Sequence, residues 1–232
     1  GSEMCIRDRF YIQETTEYMR QSLKVWAELG FSFDVVSTGM ILSAEQAALV
    51  SDFCEQSAKK GALVFVDPIM GDEGKLYNGV GEETIAHMRK MVAVADCIVP
   101  NYTEAAYLAD VPYHEDMTEE EARALTIRLH EMGAKSVVVT SAKVDGENCV
   151  VGYDGTEGEF FRIPFDLIPV RFVGTGDIFA AVMLGRLVDG VPLQESTHRA
   201  MDAVRTMIDR NRDKEDKYLG IPIETCLEVL DE

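Results

Sequence analysis

The chain has 232 residues, 47% of them hydrophobic and 27% charged, which suits one sizeable globular domain with a true core. A formal net charge of -19 argues against nucleic acid and anionic membrane surfaces as partners. An anionic substrate would need local help from backbone dipoles or a metal ion.

The opening "GSEMCIRDR" (1–9) matches one reading frame of a sequencing-adapter end. It is expected to be a non-native scar and is set aside from the fold. The domain is then expected over 10–232, starting with the helical stretch "FYIQETTEYMRQSLKVWAELG". Four apolar, β-branched runs come after it: "FDVVSTG" at 33–39, "ALVFVDP" at 62–68, "DCIVPN" at 96–101 and "SVVVTS" at 136–141. Near-continuous Val and Ile predict strands buried on both faces, as in a parallel sheet. Helical patterns lie between them at 43–60, 81–95 and 118–133, the last opening with a capping-box spacing at Thr118 and ending at Gly133. This alternation defines an α/β fold.

From about 146 the pattern changes. "ENCVVGYDGTEGEFFRIP" predicts an antiparallel hairpin around a glycine-rich turn. Helices are expected at 176–189, 193–211 and near 222–230, with "NRDKEDK" (211–217) as a solvated helix end or loop. The run "IFAAVML" is too short to span a bilayer, and Gly185 and Arg186 come directly after it. No secretory signal is visible. The five cysteines (Cys5, Cys54, Cys97, Cys149, Cys226) form no Cys-x-x-Cys pair and read as buried, reduced thiols of a cytoplasmic protein. The four histidines are equally scattered, which gives a zinc cluster little support.

In an open parallel sheet, ligands bind at the carboxyl ends of the strands. Those ends carry Thr38 and Gly39, Asp67, Asn101 and Thr140, candidates for one crevice. Small polar residues also end strands for no functional reason, and the pattern alone leaves both readings open. A second feature is "RFVGTGDIFAA" (171–181), where two glycines and a carboxylate stand at the start of an apolar helix. Glycines allow close backbone approach, and a helix start exposes unpaired N–H groups that can hold an anion. Asp177 is itself an anion. It either caps the helix or works beside a bound phosphate.

Three segments together decide more. "VDPIMGDEGKLY" (66–77), "ADCIVPNYTEAAYL" (95–108) and "VGTGDIFAAVMLGRLVDG" (173–190) resemble, in order and separation, the signatures of the pyridoxal kinase branch of the ribokinase-like superfamily. The resemblance runs from about residue 10 to the end of the chain. It implies a three-layer fold with a mostly parallel central sheet flanked by helices. It also implies transfer of the γ-phosphoryl group of ATP to the 5′-hydroxymethyl group of pyridoxal, pyridoxine or pyridoxamine. By position, Asp177 becomes the base that activates the hydroxyl, and Gly174, Thr175 and Gly176 become the anion hole. Asp67, Asn101, Glu104, Thr140 and Ser141 fall near the nucleotide phosphates. Asp72 and Glu104 belong to the magnesium environment, directly or through water. The family also implies a potassium requirement, for which no residue gives independent support, and leaves room for a homodimer.

The chemistry agrees with these assignments. Phosphoryl transfer needs positioning and charge neutralisation, which helix-start N–H groups supply, and a nearby carboxylate can accept the hydroxyl proton. No Walker-A motif is present, which excludes a P-loop kinase. The nearest alternative is hydroxymethylpyrimidine kinase of the same superfamily, many members of which carry cysteine where this chain has Asp177. A sugar kinase fits "DPIMGD" less well. The family also has a strand–helix–strand portion before the position matched by Phe10, with most contacts to the pyridine ring. Its absence here leads to the expectation of an N-terminally incomplete domain that folds at best partly and does not turn over pyridoxal. A non-catalytic fragment is therefore the third reading.

Overall fold

A computed structural model describes residues 2–6 and 9–230. Strands β1 (Ser2–Ile6) and β2 (Arg9–Gln13) form a two-stranded sheet. Helix α1 (Thr16–Glu28) comes next. Helix from Phe10 is thus corrected: Phe10, Tyr11 and Ile12 belong to a strand, as aromatic and β-branched residues favour. Glu14 then closes the turn into the helix, its Oε1 accepting from Thr16 N at 3.0 Å and Gln46 Nε2 at 2.8 Å.

β3 (Val35–Thr38), α2 (Ala44–Ala58) and β4 (Leu63–Val66) continue the chain. Ser43 caps α2 by accepting from Gln46 N at 3.2 Å. Two short strands, β5 (Gly71–Asp72) and β6 (Lys75–Leu76), form a hairpin within the "MGDEGKL" segment. Glu73 (φ +52°) and Gly74 (φ +76°) occupy its two turn positions, the left-handed pair typical of a tight hairpin.

The first unit then continues through α3 (Glu82–Val92), β7 (Cys97–Ile98), α4 (Tyr102–Ala109) and α5 (Glu119–Glu131). It ends with β8 (Ser136–Val144), β9 (Glu147–Asp154) and β10 (Glu159–Pro164). The predicted capping box is present: Thr118 Oγ1 accepts from Glu121 N at 3.2 Å, and Glu121 Oε2 accepts from Thr118 N at 2.8 Å.

The six-stranded sheet runs β10-β9-β8-β7-β4-β3. The pairings of β3, β4, β7 and β8 are parallel, and the β8–β9–β10 meander is antiparallel. Val137, Val138 and Val139 of β8 are fully buried, as are Val64, Phe65 and Val66 of β4. Both faces of these strands are covered, which is why their sequence does not alternate. The core also takes in Met88, Met91, Leu108 and Leu129 from the flanking helices. It is a mostly parallel α/β sheet covered by helices, as predicted.

The contacts divide the chain into two compact units, with main bodies Phe10–Pro164 and from Phe165 onward. In the second, α6 (Thr175–Val188) and α7 (Leu193–Asn211) pack together around Phe172, Ile178, Ala203 and Met207. The helix expected near 222–230 is instead two 3₁₀ turns, Ile223–Thr225 and Leu227–Leu230, with Cys226 buried between them. Cys226, between the two turns, has φ -132° and ψ 13°, which interrupts an α-helical path. Cys54, Cys97, Cys149 and Cys226 are all free and buried, as read from sequence; Cys5 has no described side-chain environment. Among the described residues, no helix is long and apolar enough to cross a membrane.

Candidate functional site

The parallel register brings the predicted strand-end residues of the first unit onto one edge. Asp67 N donates to Thr38 O at 3.1 Å, joining the ends of β4 and β3. Thr140 N donates to Pro100 O at 2.9 Å, and Asn101 and Thr140 form an isolated parallel bridge just beyond β7. Thr38, Asp67, Asn101 and Thr140 therefore succeed one another along the carboxyl edge, where α/β sheets bind ligands. Thr38 Oγ1 is buried there with no hydrogen-bond partner.

Ser141 stands out. It adopts φ +54°, and the β8–β9 register slips between Val139 and Ala142. A bulge of this kind re-aims the chain at a strand end, so Thr140 and exposed Ser141 leave the ladder together.

Glu104 lies in the first turn of α4 and is 3% exposed. Its Oε1 accepts from Met70 N at 2.9 Å and Gly71 N at 3.4 Å, and its Oε2 accepts from Asn101 N at 2.9 Å. Asn101 closes a capping box through Glu104 N at 3.0 Å and donates Nδ2 to Gly71 O at 2.7 Å. Burial pushes the Glu104 carboxyl up to about 8, against the backbone N–H groups that favour its charge and with the nearby Asp67 adding to the rise. Asp72, half-buried on β5, accepts from Glu73 N at 2.9 Å.

These positions test the magnesium assignment. Both Glu104 oxygens accept from backbone N–H groups, and the side chain is enclosed in the protein. Glu104 does not fit as a direct ligand. Asp72 remains the more accessible carboxylate of the pair.

In the second unit, Gly174 is the N-cap of α6, with φ +84° and ψ 7°, and no side chain caps the helix. Ile178 N makes the first intrahelical bond, to Gly174 O at 3.1 Å. The N–H groups of Thr175, Gly176 and Asp177 thus have no intrahelical acceptor. Gly176 and Asp177 are exposed, while Thr175 Oγ1 lies 3.5 Å from Phe172 O. Asp177 makes no capping bond. The helix start offers donors, the positive end of a dipole and one carboxylate.

Some of this lies beyond sequence reading. The β5–β6 hairpin and the Ser141 bulge escape it, although adjacent Glu73-Gly74 is a turn signal that two-residue strands obscure. Of helix α4 the sequence shows only a helix start after Asn101, because the helix is short; the Asn101-x-x-Glu104 spacing was the cue to its capping box.

A mostly parallel sheet covered by helices, with polar residues along its carboxyl edge, defines an α/β protein. The chain belongs to the phosphomethylpyrimidine kinase family, whose model matches residues 12–220. A candidate phosphomethylpyrimidine kinase from Bacteroides thetaiotaomicron superposes with a TM-score of 0.92 at 32% identity, over 97% of this chain and 79% of its own. A second crystal form, with pyridoxal, gives 0.91 at 31% identity, over 97% of this chain and 80% of that one. The pyridoxal kinase of Arabidopsis thaliana is 32% identical over 171 residues, 70% of this chain and 53% of its own length. That of Sus scrofa is 34% identical over 171 residues, 66% of this chain and 52% of its own. The chain spans about half the length of the curated relatives it matches.

Proposed function

We propose that this protein takes part in transfer of the γ-phosphoryl group of ATP to the 5′-hydroxymethyl group of a B6 vitamer: pyridoxal, pyridoxine or pyridoxamine. The observation that carries the reading is the exposed Asp177 in the first turn of α6, directly after the glycine N-cap. The relatives named pyridoxal kinase, and the Bacteroides protein crystallised with pyridoxal, support the choice of substrate.

In this reading Asp177 takes the proton of the substrate hydroxyl as its oxygen attacks the γ-phosphorus and the bond to ADP breaks. The Gly174–Thr175–Gly176 start of α6, where the N–H groups of Thr175, Gly176 and Asp177 lack intrahelical acceptors, holds the charge that develops on the phosphoryl oxygens. Asp67, Asn101, Thr140 and Ser141 serve the nucleotide phosphates from the sheet edge. Magnesium, carried by the nucleotide, would offset phosphate repulsion from a chain of charge -19, with Asp72 the accessible carboxylate of the assigned pair. Reduced, buried thiols suit the cytoplasm.

Hydroxymethylpyrimidine kinase is the second reading, favoured by the description of the matching family. The two separate in one assay: coupled ATP turnover with pyridoxal and with hydroxymethylpyrimidine in parallel, with magnesium and potassium present. The assay is run on the chain and on a version extended to the length of its curated relatives. Turnover that depends on pyridoxal supports the proposal. Turnover with the pyrimidine alone, or none with either acceptor in the extended version, overturns it.

A further inference from the structure

Glu104 is a poor metal ligand but a well-placed strut. A carboxylate has about four lone-pair positions, and three are filled here by Met70 N, Gly71 N and Asn101 N. The remainder is enclosed, since the residue is 3% exposed. Beside it, Thr103 Oγ1 accepts from Gly74 N at 2.8 Å, and Asn101 Nδ2 donates to Gly71 O at 2.7 Å. The start of α4 therefore holds the Met70–Gly74 segment through the side chains of Asn101, Thr103 and Glu104.

We propose that Glu104 is a positioning residue, a backbone clamp that ties the Met70–Gly71 loop to the first turn of α4, and not a ligand of the nucleotide's magnesium. The loop it fixes leads from Asp67, at the end of β4, to Asp72 on β5, so its place sets where those two carboxylates stand. An acceptor buried at the meeting point of three peptide N–H groups is costly to remove, because each donor is left without a partner in a dry site. The consequence for nucleotide binding rests on the kinase reading above; the clamp itself does not.

The test uses the full chain with Glu104→Gln and Glu104→Ala. Amide hydrogen exchange is measured at Met70, Gly71 and Asn101, and manganese, a spectroscopic substitute for magnesium, is titrated into the chain with ADP. Glu104→Ala should speed exchange at all three amides by about three- to tenfold, the loss of one hydrogen bond at each. Glu104→Gln should spare Met70 and Gly71, since its Oε1 still accepts, and speed Asn101, because its Nε2 can only donate. Manganese affinity of the ADP complex should stay within about threefold in the Gln variant. A tenfold loss of manganese affinity with unchanged amide exchange would overturn the proposal and restore the ligand role. Should Glu104→Ala fail to fold, the unmodified chain in EDTA decides. Slow exchange at the three amides without any divalent ion supports the clamp, and exchange at the rate of exposed amides refutes it. A chain that binds no ADP counts against the kinase reading alone, while the amide pattern still judges the clamp.

Discussion

Gly174 and Gly176 stand two residues apart, and the backbone requires glycine only at the first. Gly174 has φ +84°, and a Cβ built there would meet nothing nearer than Asp177 Oδ2 at 3.7 Å. Space is available, so the cost of Gly174→Ala is the left-handed backbone itself, about 1–2 kcal/mol. Gly176 has no positive φ, and a Cβ there would meet no atom within 4 Å. In a helical position, Gly176→Ala should instead stabilise by about 0.5–1 kcal/mol. The two variants should therefore separate by about 1.5–3 kcal/mol, with opposite signs relative to the unmodified chain. Urea denaturation with a shared m-value measures both. Nothing in the fold requires glycine at 176, so a defect in its variant would report on a ligand. In the extended version, Gly176→Ala should lose pyridoxal-dependent turnover while gaining stability, since its methyl group occupies the approach to the helix-start N–H groups. Gly176→Ala that destabilises the chain would refute the geometry. A stabilised variant with full turnover would refute the anion hole.

Asp177→Asn in the extended version should lower turnover by about 10²–10⁴-fold with ADP affinity nearly unchanged, as expected for loss of a general base; near-normal turnover would leave Asp177 without that role. Thr118→Ala removes the Oγ1 that accepts from Glu121 N and should cost about 0.5–2 kcal/mol in denaturation, with no effect on ADP binding. Burial pushes the Cys54 thiol from 9.0 up to about 11. Its neutral form is thus favoured in the fold, and the unfolded chain ionises first as pH rises. Stability should fall between about pH 9 and 11, and Cys54→Ala should flatten that part of the profile; an unchanged slope would show that burial of this thiol does not contribute.

The sheet was legible from the chain itself because its strands are buried on both faces. Val-rich runs such as 136–141 are strong signals, and the glycine-rich hairpin after residue 146 was equally clear. The runs that misled were those whose fate depends on neighbours. Phe10–Ile12 shares the helical spacing of the adjoining residues 13–28, yet it pairs as a strand. The segment at 222–230 is apolar enough for a helix, yet it breaks into 3₁₀ turns around Cys226. Local pattern sets a preference of a few tenths of a kcal/mol per residue, and packing overrides it at that scale.

The site divides in the same way. Residue types and spacing located the strand ends and the helix start at Gly174, because sharp turns and helix caps restrict the residues they accept; the roles proposed for them rest on the resemblance of three segments to a known family. What Glu104 does was decided only by tertiary structure. Its sequence neighbours show an acid at a helix start, a position equally suited to a cap or to a metal. The Met70 and Gly71 N–H groups that take up its oxygens lie more than 30 residues away in the chain. The bulge at Ser141 likewise exists only because β9 pairs with β8 out of register there. Hydrogen bonds between distant backbone groups leave no trace in local composition, so such roles emerge only when the sheet brings those segments together.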